Sequence, residues 1–123
     1  MKIFVVDDDA EILEMLKIFF ESKGNSCVVF STGREMIKEI SQNRPDIIFL
    51  DITLYDEDGL AVLHDIKDID KTITVVMVTA YKSADKVVQA FRDGAMDCLL
   101  KPINFDYLEN YILAKAGTQI KLQ

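Results

Sequence analysis

Five short apolar runs punctuate the chain, and each breaks off at a polar residue. Ile3-Phe4-Val5-Val6 stops at Asp7-Asp8-Asp9, and Ile47-Ile48-Phe49-Leu50 stops at Asp51. Thr74-Val75-Val76-Met77-Val78 gives way to Thr79-Ala80, and Asp97-Cys98-Leu99-Leu100 gives way to Lys101-Pro102. Cys27-Val28-Val29-Phe30 is the fifth run. Continuous apolar runs this short, bounded by turn formers, predict strands buried on both faces. Between them the apolar residues recur at helical spacing. Ile12, Leu13, Leu16, Phe19 and Phe20 predict a helix capped by Asp8 or Asp9, with Glu11 in its first turn and Gly24 as its stop. Thr32-Gly33-Arg34-Glu35 has the capping-box form and opens a second helix with Met36, Ile37 and Ile40 inward, ended by Pro45. Asp58-Gly59 starts a third, with Leu60 and Leu63 at helical spacing and Ile66 or Lys67 near its end. Ser83 is expected to cap a fourth, whose apolar face is Val87, Val88 and Phe91, stopped by Asp93-Gly94. Asn104 caps the last, with Phe105, Leu108 and Ile112 inward and Gly117 as its expected end.

The order is strand then helix, five times, without a long linker, repeat or low-complexity tract. This alternation predicts right-handed crossovers and a parallel sheet between two helix layers, an α/β fold. Periodicity leaves the strand order open between the two doubly wound arrangements.

Length and charge narrow the function. The 123 residues fit one domain with a sizeable core, 50% of them apolar and 28% charged. A net charge of -7 makes a poor partner for nucleic acid, whose binding rests on Lys and Arg. Cys27 and Cys98 have neither CxxC spacing nor a ligand cluster, so buried reduced thiols are expected. No signal peptide and no membrane span is read from the sequence, and the expected address is the cytoplasm.

In a parallel sheet all carboxyl ends share one edge, where ligand crevices lie. That edge collects Asp7, Asp8, Asp51, Thr79 and Lys101. Two carboxylates ~5 Å apart repel by about 3 kcal/mol at an effective dielectric near 20, so the cluster calls for a cation. Oxygen donors that leave waters in place suit Mg²⁺. A carboxylate can also act as a nucleophile toward phosphorus. Phosphoryl transfer asks chiefly for positioning and charge neutralisation, which a cation, Lys101 and the Thr79 hydroxyl supply.

The motifs VVDDD at 5–9, IIFLDITLYDEDG at 47–59, VMVTA at 76–80 and LLKP at 99–102 stand in one order and spacing. In these the chain resembles the receiver domains of two-component response regulators. The resemblance implies a five-stranded parallel sheet of order 2-1-3-4-5 flanked by five helices. It implies a receiver over residues 1–117, with 118–123 as a tail or the start of a linker. Asp51 is then the phosphoacceptor and a histidine kinase or phosphotransfer protein the donor. Asp8, Asp51 and the backbone carbonyl of Thr53 ligate Mg²⁺, with Asp7 acting through a metal-bound water. Thr79 is the switch hydroxyl, Lys101 binds the phosphoryl group, and the Lys101-Pro102 bond is cis. Such a protein is a phosphorylation-dependent switch rather than a turnover enzyme, assisting only its own phosphotransfer and dephosphorylation. Its signal passes to an output domain or a second copy of itself, without direct contact to nucleic acid or membrane.

Three positions depart from the usual pattern of that family. Cys98 stands where receivers usually carry a Tyr or Phe that swings inward on activation. A small thiol cannot follow the switch by ring packing, which turns attention to Ala80 and Tyr81. Tyr55 stands where Pro is frequent, and Thr53 and Tyr81 flank the site at variable positions. Two competing readings fail on residues. A haloacid-dehalogenase-like phosphatase needs a second acidic residue two positions after its nucleophile, and Thr53 stands there. A flavodoxin-like flavin carrier needs a first loop that welcomes phosphate, and Asp7-Asp8-Asp9 repels one.

Overall fold

The computed structural model describes residues 1–80 and 84–121. Five parallel strands, β1 (Lys2–Val6), β2 (Ser26–Phe30), β3 (Ile47–Asp51), β4 (Thr74–Thr79) and β5 (Asp97–Leu100), lie in the order β2-β1-β3-β4-β5. Helices α1 (Ala10–Ser22), α2 (Gly33–Ile40), α3 (Gly59–Ile69) and α4 (Ala84–Arg92) alternate with them. The last helix, α5, runs as Phe105–Tyr107, a π-helical stretch Leu108–Leu113, and Ala114–Lys121. The expected sheet order is the observed one. It places β1 and β3 side by side in the middle, Val6 against Leu50, where successive connections leave in opposite directions.

Alternation along the strands divides the core. Phe4, Val6, Ile48 and Leu50 face α2, α3 and α4, where Met36, Ile40, Leu63, Ile66 and Ala90 meet them. Ile3, Val5, Ile47 and Phe49 face the other way, onto Leu16 and Phe20 of α1 and Leu108, Ile112 and Ala116 of α5. Every residue of β3 is buried, so its continuous apolar run is needed on both faces. Burying one such side chain contributes roughly 1.5–3 kcal/mol.

The helix starts follow the expected chemistry. Asp9, not Asp8, caps α1, taking the N–H groups of Glu11 and Ile12. Thr32 caps α2, Asp58 caps α3 and Asn104 caps α5. Gly24, at φ 85°, closes α1 through Gly24 N–H to Glu21 O and Asn25 N–H to Phe20 O, a Schellman arrangement. The Lys101-Pro102 bond is cis.

Two sequence expectations give way, the burial of Cys98 and the helix stop at Gly117. The apolar stripe of α4 does not face the core: Val88 and Phe91 are 48% and 47% exposed, Val87 is half-buried, and Ala90 alone is buried on that helix. Small Ala90 makes the inward contact, leaving the larger side chains beside Cys98 and Leu100 of β5 in an open apolar groove. Cys98 is accordingly half-buried, whereas Cys27 is buried, and both are free thiols. The second correction concerns Gly117, where helix continues to Lys121. Ala116 on the sheet and half-buried Ile120 prolong the apolar side one turn, and this outweighs the modest helix penalty of one glycine. Ser83 and Tyr81, expected as a cap and as a site-flanking ring, lie outside the described residues. No helix among the described residues is long and apolar enough to cross a membrane.

Candidate functional site

The carboxyl ends of β1, β3, β4 and β5 converge on one acidic pocket. Asp7 follows β1 and is 1% exposed; its backbone N–H reaches Phe30 O at 3.1 Å. Its Oδ1 accepts the Asp9 N–H at 2.8 Å, so the carboxylate is fixed by the turn that opens α1. Asp51 ends β3 at 5% exposure, and its Oδ1 accepts the Thr53 N–H at 2.9 Å. Thr79, 1% exposed, follows Val78, the β-partner of Asp51. Its carbonyl accepts the Lys101 N–H at 2.9 Å, which carries the lysine to the pocket.

Lys101 bridges the two buried carboxylates. Its Nζ lies 2.8 Å from Asp7 Oδ2 and 3.0 Å from Asp51 Oδ2. The sequence placed this lysine at the pocket without showing that it spans both carboxylates. Asp8 completes the set from an exposed position, and oxygens of Asp7, Asp8 and Asp51 lie within 4.8 Å of one another. One ammonium against three carboxylates leaves two negative charges uncompensated. Clustered hard oxygen donors with a charge deficit of two fit a divalent cation of the Mg²⁺ type.

The charges perturb one another. Burial pushes the Asp51 carboxyl above its ordinary value and the charge of Asp7 adds to this, while the Thr53 N–H and Lys101 oppose it. Burial alone would pull the Lys101 ammonium down, but Asp7 and Asp51 outweigh it and hold it above its ordinary value.

The loop between Asp51 and α3 wraps the pocket's flank. Gly59 is required where it returns: a Cβ there would sit 2.2 Å from Asp51 O and 2.6 Å from Ile52 O. Thr53 pairs with Asp58 across this loop, so the Thr53 backbone is held next to Asp51. Glu57 was not singled out from the sequence. Its carboxylate takes the Gly33 N–H at 2.7 Å and the Arg34 N–H at 3.0 Å. No local pattern signals a contact made over 23 and 24 positions. A second grouping, His64, Asp65 and Asp68, lies exposed on α3, with His64 Nδ1 3.3 Å from Asp68 Oδ2 as a surface pair.

Known proteins with this arrangement are numerous. The response regulator receiver domain model matches residues 3–113. The transcriptional regulatory protein ZraR of Escherichia coli is 33% identical over 107 residues, covering 87% of this chain and 24% of that protein. The DNA-binding transcriptional regulator NtrC of Escherichia coli is 35% identical over 104 residues, covering 85% of this chain and 22% of that protein. The chain thus spans about a quarter of the length of these relatives. A CheY-like receiver domain protein from Methanospirillum hungatei superposes with a TM-score of 0.93 at 29% identity, covering 99% of this chain and 98% of that one. NtrX from Brucella abortus, in complex with ADP, superposes with a TM-score of 0.91 at 30% identity, covering 98% of this chain and 28% of that one. Sheet order, pocket and sequence match agree, and the chain belongs to the response regulator receiver domain family, the phospho-accepting switches of two-component systems.

Proposed function

We propose that Asp51 is the phosphoacceptor of a two-component phosphorelay and that the surrounding groups serve its phosphorylation. The observation that carries this is Lys101 Nζ held between Asp7 and Asp51, 2.8 and 3.0 Å away, at the meeting point of four strand ends. An Asp51 oxygen attacks phosphorus, a P–O bond forms, and the donor's P–N bond breaks with its electron pair returning to the imidazole. Burial raises the Asp51 carboxyl above its ordinary value, and a more basic carboxylate is a better nucleophile once ionised. Asp8, Asp51, Asp7 and the Thr53 carbonyl are the groups that would hold Mg²⁺, which offsets charge on the phosphoryl oxygens. Lys101 exchanges its contact with the Asp51 carboxylate for a phosphoryl oxygen, and the Thr79 hydroxyl bonds another. The protein assists its own phosphotransfer and dephosphorylation and turns over no separate substrate.

The donor is a histidine kinase or a phosphotransfer protein. Output follows from the charge change: a carboxylate becomes a group of about -2 with three acceptor oxygens. Thr79 is drawn toward it, and Ala80 and the start of α4 follow. The half-exposed Val88 and Phe91, with Leu100, form the surface such a shift alters for an output domain or a second copy. Asp51→Asn should fold as the wild type does and take no phosphoryl group from a small phosphoramidate. Acid-stable label on that variant would place the acceptor on a Ser, Thr or Tyr and overturn the proposal.

A further inference from the structure

We propose that Glu57 is a positioning residue, a clasp that ties the loop after Asp51 to the first turn of α2 and so fixes the backbone around the phosphoacceptor. It rests on the phosphoacceptor reading of Asp51 and adds a residue to it. The Glu57 side chain is 12% exposed, and its two oxygens take two consecutive amides, Gly33 N–H at 2.7 Å and Arg34 N–H at 3.0 Å. A carboxylate on the free amides of a helix start gains from both the charge-assisted bonds and the helix dipole. Gly33 makes the approach possible, since a Cβ there would sit 3.1 Å from Glu57 Oε2 and 2.7 Å from Val62 Cγ2. Arg34 adds contacts to Asp56 at 3.6 Å and Glu57 at 4.0 Å, but at 63% exposure these are screened.

Helix capping alone does not account for the clasp. Thr32 already caps α2 through the Glu35 N–H at 3.2 Å. Glu35 Oε1 lies 3.3 Å from the Thr32 hydroxyl, which donates to it. Glu57 fills the two preceding amides from a different loop, so the contact fixes the loop as much as the helix. The loop needs it. Its inner end is anchored by Thr53 N–H to Asp51 Oδ1 at 2.9 Å and Gly59 N–H to Ile52 O at 2.9 Å. Its outer part carries Tyr55, 94% exposed, and Asp56, with a side chain 75% exposed, which bury almost nothing. Leu54 and Glu57 are the inward-held side chains there, one by burial and one by hydrogen bonds. Through the Thr53–Asp58 pairing, the grip on Glu57 reaches the backbone beside the Asp51 carboxylate.

The test compares the wild type with Glu57→Ala, Glu57→Gln and Thr32→Ala. Thr32→Ala weakens the same helix start without touching the loop. Mg²⁺ is titrated against the Asp51 and Thr53 amide shifts, and hydrogen exchange is followed at the Thr53 N–H. Glu57→Ala should weaken Mg²⁺ by about tenfold and Thr32→Ala by no more than about twofold, as expected of a group that orients ligands rather than supplying one. Glu57→Gln, which keeps one acceptor oxygen, should fall between. The Thr53 amide should exchange faster in Glu57→Ala and unchanged in Thr32→Ala. Equal Mg²⁺ loss in Glu57→Ala and Thr32→Ala, or none in Glu57→Ala, would overturn the clasp. A wild type that shows no Mg²⁺ response would defeat the phosphoacceptor reading instead, and Thr53 exchange would then decide the clasp alone.

Discussion

Asp8 and Asp9 are neighbours with different duties. Asp9 turns back to the Glu11 N–H at 2.9 Å and starts α1, while Asp8 stays exposed with its oxygens in the acidic group. Asp9→Ala should therefore cost about 1 kcal/mol in denaturant unfolding, the usual value of a lost cap. Asp8→Ala should move stability by less than about 0.5 kcal/mol and yet abolish Mg²⁺-dependent phosphorylation. A stability loss at Asp8 as large as that at Asp9 would make it a structural residue. Lys101 carries the opposite burden. Removing it as Lys101→Met strands two buried carboxylates, and with 18% of its side chain exposed the loss should be about 2 kcal/mol. The variant should bind Mg²⁺ more tightly and recover stability as the ion is added. The sign of its pH dependence is set by a folded value raised above the unfolded one. The lysine's contribution is fully present below the unfolded lysine value and is lost as pH rises through the folded one. The stability gap between wild type and Lys101→Met, measured by urea unfolding across the alkaline range, should close as pH rises.

Elements were legible where one local signal sufficed and misread where a distant surface decided. Asp9, Thr32, Asp58 and Asn104 act as caps as their types imply, because a cap is a contact within one turn. The stripe Val87, Val88 and Phe91 was legible as a stripe, but periodicity does not say what covers it. Here Ala90 takes the core side, and the bulkier residues line the groove with Cys98 and Leu100. Gly117 carries a stop signal that Ala116 and Ile120 override from the sheet side. The mutational consequence is direct. Phe91→Ser on α4 should change stability by less than about 1 kcal/mol, whereas Leu108→Ala in α5 should cost about 2–5 kcal/mol because Leu108 is wholly buried. Thermal or urea unfolding of the pair reads this, and equal losses would make Phe91 a core residue.

At the scale of the molecule, parallel strands deliver their carboxyl ends to one edge, so polar residues from four strand ends far apart in sequence meet there. That convergence was readable once five strands were read, and the order β2-β1-β3-β4-β5 was readable through the family motifs alone. Pairings such as Asp51 with Val78, or Glu57 with Gly33, are set by tertiary packing across tens of residues and leave no local trace. The same topology explains why a charge change at Asp51 can be felt elsewhere: β4 links it to Thr79, and Thr79 O holds the Lys101 N–H at 2.9 Å. The most direct measurement is a backbone-amide shift titration with beryllofluoride and Mg²⁺, a phosphoryl mimic, on the wild type and on Asp51→Asn. The wild type should shift at Asp51, Thr79 and Lys101 and onward into Ala84–Arg92, and Asp51→Asn should not respond. Shifts that persist in Asp51→Asn, or a wild type that stays silent, would contradict Asp51 as the acceptor.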